Sequence, residues 1–318
     1  MQEGISDEPM ADTETVPGLL SVPSRDGNFL EVTALYGKLL VREGDFVAEA
    51  EVKPWSAWWL PIKDKYLFEA TPPEMSPLQK YDLYNRQIRK AQSGAAIFEK
   101  NKLYDPNANN WEGLCDAWAV ASVLEPEPEK SISHGRITFG IGDQKALLIK
   151  TYENVQGARK FGQRYNGDRI SVYDDIYAEQ FHRFVQVELF ENQRAFIMDK
   201  DPGTAIWNTP VWRASLNISA DASDANQVHV DAWLSGASPF VTDYDYKGTL
   251  SVTFHYTYDL FGHRLPDGSF EVAFGVWTND SLDYHPDFVS TLPDKATRSS
   301  RNKEIDLNVV NEILGTRD

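Results

Sequence analysis

The sequence predicts an α+β protein, and three observations lead there. Capped helical spacing begins at Ser76, and from about residue 136 the chain turns into short alternating or β-branched and aromatic runs between turn signals. The third is composition: 318 residues, 42% hydrophobic and 12% aromatic, suffice for one large core or two modest ones.

Residues 1–17 are acidic and poor in apolar side chains, which predicts a disordered leader; residues 18–318 read as one domain, with 18–75 as a possible N-terminal subdomain. "FLEVTALY" (29–36) and "DFVAEAEV" (45–52) read as strands, and "PWSAWWLP" (54–61) as a packed loop. Ser76 as cap and Pro77 at the first helical position open a helix whose Leu78, Tyr81, Tyr84, Ile88 and Ala91 recur every three or four residues. A second helix follows at "CDAWAVASVL" (115–124). Strands are then expected at "RITFGIG", "RFVQVELF", "RAFIMD", "ASLNISA", "VHVDAWL", "TLSVTFHYTYDLF" and "SFEVAFGVW". No internal repeat or dividing linker stands out.

A net charge of −17 and a pI near 4.8 argue against nucleic acid or an anionic membrane surface as partner. The single cysteine, Cys115, rules out an internal disulfide, and zinc-type Cys/His spacings are absent. No run approaches the roughly 20 apolar residues of a membrane helix. The N-terminus lacks the basic, apolar and small-residue succession of a signal peptide.

Cys115 is the candidate nucleophile. It falls in the first turn of its helix, where free amides and the positive end of the dipole stabilise a thiolate or an oxyanion; a lone cysteine chosen at random is more often an inert buried thiol. Such a nucleophile needs a histidine base and a group to orient it. Of six histidines, His134 and His263 lie in turn-like sequence and His255 in mid-strand. His182 is favoured because "FHRFVQVELFENQRAFIMD" reads as a hairpin with its turn at "ENQR", which sets His182 near Asp199 across the strands. His229, at a strand start, and His285, in an acidic loop with Asp280, Asp283 and Asp287, remain as alternative bases. That loop also suggests a metal, although three carboxylates in an exposed loop are more often merely solvated, and no metal site is assigned. Trp111 and Trp118 flank the nucleophile as candidate walls of a substrate channel.

These segments carry a resemblance. "PWSAWWLP", "SPLQKYDLY", "WEGLCDAWAVASVLEPEP", "ITFGIGDQKALL", "RYNGD", "FHRFVQVELFENQRAFIMD", "AIWNTPVW" and "GVWTNDSLDYHPDF" together resemble the transglutaminase elicitor family, secreted oomycete enzymes with bacterial relatives, from about Pro54 to Phe288. The resemblance implies a papain-like, transglutaminase-like core in which a nucleophile-bearing helix packs on a mainly antiparallel sheet. It implies a protein-glutamine γ-glutamyltransferase that joins glutamine to lysine through a Cys115 thioester, with deamidation when water replaces the amine. Carried over by motif, Cys115, His182 and Asp199 form its triad. Partners would be proteins offering glutamine and lysine side chains or primary amines; no cofactor is expected, though calcium is conceivable. The protein would be secreted or periplasmic, its signal peptide absent from this chain, and residues 1–50 could be a propeptide. Thr209 and Trp212 replace the glutamine and arginine usual around the "IWNTPVW" motif, and Ala117 a usual glycine, so elicitor activity is not expected. A papain-like peptidase or amidase and a non-catalytic recognition protein are the alternatives.

Overall fold

The computed structural model describes residues 35–155, 158–164, 175–292 and 297–316. The expected leader, and most of the strand expected at 29–36, lie outside them.

Eleven short or long strands appear among these residues: β1 Leu40–Val41, β2 Gly44–Glu49, β3 Ile132–His134, β4 Ile137–Phe139, β5 Lys160–Gly162, β6 Phe196–Asp199, β7 Asn208–Ala220, β8 Gln227–Ala237, β9 Ser251–Arg264, β10 Phe270–Trp277 and β11 Phe288–Ser290. The α-helices are α1 Pro77–Tyr84, α2 Ala95–Phe98, α3 Cys115–Leu124, α4 Ile141–Thr151, α5 Ala178–Val185 and α6 Leu307–Leu314. Nine strands form one antiparallel sheet in the order β1-β10-β9-β8-β7-β6-β11-β5, with β2 added to β7; β3 and β4 make a separate hairpin. The sheet curls into a half-barrel. Mixed helix and antiparallel sheet is therefore what the sequence led us to expect.

Each face of the sheet buries its own core, because successive strand residues point to opposite sides. On β6, Ile197 joins the helical core of Trp55, Leu78, Tyr81, Trp118 and Leu147, while Phe196 and Met198 join the inner core of Phe181, Phe184, Leu216 and Tyr258. Helix α3 lies on the first face, packed on β7 and α4; α5 lies in the trough of the half-barrel against β9 and β10.

The helix expected from Ser76 begins there. The Ser76 hydroxyl accepts from the Gln79 amide while the Gln79 side chain accepts from the Ser76 amide, closing a capping box. The pattern does not run on as one helix: after a π-helical turn at Asn85–Arg89 the chain breaks at Lys90, whose φ is +57°, and resumes at α2. "RITFGIG" is a strand only over Ile137–Phe139, since α4 starts at Ile141.

The expected strand "RFVQVELF" is helical. Residues 178–185 form α5 and Gln186–Glu191 continue it as a π-helix, so no hairpin joins His182 to Asp199. The physical reason is a helical stripe: Phe181, then Phe184 and Val185, then Leu189 fall on one helix face and are all fully buried.

Two lysines of α4 are buried. Lys145 is held by the Ser56 and Tyr246 carbonyls and Glu127, and Lys150 by Glu99 and Glu153, so neither charge lacks compensation.

Replacing Ser76 by alanine removes one half of the capping box, and we expect a loss of about 1 kcal/mol in unfolding free energy, read as a lower urea midpoint with unchanged slope.

Candidate active site

Cys115 opens α3, as expected, and is buried at 5% exposure. The start of that helix is pinned by backbone and by lack of a side chain. The Leu114 amide donates to the Trp59 carbonyl, Gly113 bridges to Pro61, and a Cβ at Gly113 would stand 2.4 Å from the Trp59 ring. Only glycine leaves room for the Trp59 indole beside the turn before Cys115.

The thiol faces the first turn of β7. Asn208 Nδ2 approaches Cys115 Sγ at 3.8 Å, and the thiol itself points to the Ile206 carbonyl at 3.7 Å. Asn208 is paired in register with Asp199, the last residue of β6. Since Ile197 belongs to the helical core, period-two alternation turns Asp199 to the same side, towards α3. Asp199 is fully buried; Oδ1 accepts from the Trp207 amide at 2.8 Å and the Asp201 amide at 3.4 Å, while Oδ2 is buried without a hydrogen bond.

Burial dominates the electrostatics. It pushes the Cys115 thiol up to about 11, helped by the charges of Asp116 and Asp199 and opposed by hydrogen bonds from Asn208. The resting sulfur is therefore a thiol. Burial likewise raises the Asp199 carboxyl to about 7, opposed by the Trp207 and Asp201 amides and reinforced by Asp287 and Asp201, which leaves it poised near neutrality.

The expected base is elsewhere. His182 sits on α5 on the other face of the sheet, 2% exposed, with Nδ1 bonded to the Tyr258 hydroxyl at 2.8 Å. Burial, with the Arg183 charge, lowers it to about 4. The hairpin that placed it beside Asp199 does not exist, and the structure joins it to neither Asp199 nor Cys115. His229 is clamped between Asp259 and Asp221 at 2.6 and 2.8 Å on the outer sheet surface. His285 bonds the Ser281 carbonyl, lies 3.4 Å from Asp175 and stacks on Trp277. Among the described residues, then, no histidine bonds the thiol or Asp199, and no group of three or more His, Cys, Asp or Glu side chains is placed to hold a metal ion.

Of the two channel candidates, Trp118 is core: it is wholly buried and its indole N–H donates to the Trp55 carbonyl. Trp111 is half-buried, its ring 5.1 Å from the Arg164 guanidinium. An aromatic cluster next to the Ile206–Asn208 segment that meets the thiol is one that sequence reasoning missed. Trp207, one residue before Asn208, packs edge-on against Trp59 and tilts against the exposed Phe240, each at 4.9 Å. Asn208 was also missed; its only signal was its place inside the "IWNTPVW" segment.

Two comparisons with known proteins bear on the family and the fold. Residues 93–243 match the family described as transglutaminase elicitor, which bears out the resemblance over that stretch. The crystal structure of the GP42 transglutaminase from Phytophthora sojae superposes with a TM-score of 0.70, covering 91% of this chain and 97% of that one at 18% identity, a likeness of fold. No curated protein matches the chain.

Two measurements test the electrostatics. Alkylation of Cys115 by iodoacetamide is expected to accelerate about tenfold per pH unit up to pH 10 without levelling; a plateau near pH 7 would show a preformed thiolate. For Asp199 the folded value, about 7, lies above the 3.8 of an ordinary aspartate, so its stabilising protonation is complete below about pH 4 and lost as pH rises through 7. The stability difference between wild type and Asp199→Asn should therefore fall by up to about 4 kcal/mol between pH 4 and 7 and then stay constant.

Proposed function

We propose, from the family match over residues 93–243, that the protein is an acyltransferase of the transglutaminase kind, with Cys115 as nucleophile and Asp199 as its proton partner. The observation that carries the reading is the register pair Asp199 and Asn208, which lies beside the first turn of α3 and brings the Asn208 amide to the Cys115 sulfur.

In the proposed reaction Cys115 Sγ attacks the side-chain carbonyl carbon of a substrate glutamine. The thiol proton passes to the Asp199 carboxylate. From about 11 to about 7 that transfer is uphill by four units, roughly 5 kcal/mol, so the proton leaves as the carbon–sulfur bond forms rather than beforehand. The tetrahedral oxyanion is held by Asn208 Nδ2–H and by the Cys115 backbone N–H at the positive end of the helix. Asp199 then returns its proton to the leaving ammonia, and a thioester remains. A lysine amine resolves it to an isopeptide bond, giving its proton to Asp199 and thence to the thiolate; water in the same place yields glutamate.

Ile206 lies over the thiol, so the segment 200–207 must shift to admit an extended glutamine side chain, with Trp207 and Phe240 as the apolar guides. The partners that fit this chemistry are proteins bearing accessible glutamine and lysine side chains, and an extracellular or periplasmic location accords with it. Among the described residues no helix is long and apolar enough to cross a membrane.

The deciding experiment is incorporation of a fluorescent primary amine into casein, with and without calcium. We expect Cys115→Ala to abolish it, Asp199→Asn to reduce it about 100-fold or more, and Asn208→Ala to lower it by about 100-fold as an oxyanion donor does. His182→Phe should retain activity. Loss of activity in His182→Phe with the fold intact would restore the histidine as base; peptide cleavage without amine incorporation would make the protein a peptidase.

A further inference from the structure

The half-barrel carries an open-mouthed pocket of about 290 Å³ on the face of the sheet opposite Cys115. Its walls are apolar: Leu40 and Val41 of β1, Phe46 of β2, Leu216 and Ile218 of β7, and Phe190 from the π-helical turn after α5. It lies where β1 and β2 close the curl of the sheet, with α5 filling the rest of the trough.

The polar groups around it divide into two kinds. Those at its edge are spoken for. Arg42 donates to the Asp267 carboxylate and carbonyl, Ser269 donates to Asp267, and Gln186 gives its amide to the Leu40 carbonyl while accepting from Arg183. His182 also lines the cavity and is not spoken for: at 2% exposure its ring makes one hydrogen bond, from Nδ1 to the Tyr258 hydroxyl, and Nε2 makes none.

The tautomer follows from counting unmet groups. Were Nδ1 the donor, the Tyr258 hydroxyl proton and the Nε2 lone pair would both be left over, since Tyr258 has no other side-chain partner. With Tyr258 donating to Nδ1, only the Nε2 proton is unmet. The Nε2 proton has no acceptor among the described residues and is accessible from the apolar pocket, where a ligand could meet it.

We propose that this cavity is a binding site for a small uncharged molecule with an apolar body of about eight to ten carbons and one hydrogen-bond acceptor, such as a ketone, which takes the His182 Nε2 proton. The size follows from the volume, since a cavity of about 150 Å³ accommodates benzene. Uncharged follows from the surroundings: the cations at the edge are paired with carboxylates, and a carboxylate buried among these side chains would lack compensation. The site is independent of the acyl-transfer reading, because it lies on the other side of the sheet and its readout is binding.

The test titrates 2-octanone into the intact protein labelled with ¹⁵N-histidine, followed by the His182 imidazole resonances and by thermal denaturation, with octanoate as the charged control. We expect saturable binding that moves the His182 Nε2 signal and raises Tm, with octanoate binding at least tenfold more weakly. His182→Phe keeps the ring volume and should weaken the ketone about three- to tenfold, the worth of one hydrogen bond. Ile218→Phe fills the chamber and should abolish binding while near-ultraviolet circular dichroism remains native. Absence of any shift in the wild-type imidazole, equal binding of octanoate, or affinity unchanged in both variants would each overturn the proposal; the wild-type titration does so even if neither variant folds.

Discussion

Everything about the site depends on the alternation of side chains along β6 and the start of β7, where the sheet is packed on both faces. A strand so enclosed has no neutral side, and each residue is committed to one of two environments by parity alone. Phe196 and Met198 go to the trough; Ile197 and Asp199 go to the helices. Because β7 pairs with β6 in strict register there, Asn208 inherits the side of Asp199, and the side of Asp199 is that of Cys115. A slip of one residue would exchange the buried carboxylate for methionine at the sulfur.

The position of Cys115 at a helix start and the framework were legible, and the reason is local. A capping serine, a proline at the first helical position and a run of small residues after a cysteine act within a few residues of themselves, and α1 and α3 begin where those signals stand. The long strands β7 to β10 alternate plainly, because one side of each faces water over much of its length. The segment 178–191 misled because its valines and phenylalanines suit a strand by composition. Its spacing was helical all along, and in a helix buried on most sides the polar stripe that would have exposed the period is reduced to a few residues.

Asn208 was out of reach for another reason. It lies 93 residues from Cys115, and nothing in the sequence near either one specifies that a strand start meets a helix start. The raised values of Cys115 and Asp199 are likewise products of burial, which belongs to the assembled core and not to neighbours in sequence. Geometry redistributes the expected triad: its two ends stay together at the helix terminus and its middle member moves to the far side of the sheet, where its unmet proton faces a chamber rather than a thiol.

On the proposed acyl-transfer function, surface lysines would be acceptors, and each molecule would meet copies of itself. Lys145 and Lys150 are removed from that hazard. Their ammonium groups are locked by Glu127 and two carbonyls in one case and by Glu99 and Glu153 in the other, with almost no surface exposed. The helix packed against α3 thus contributes two amines that no neighbouring molecule can reach, and under the proposed function any self-crosslinking would begin at the periphery rather than in this element.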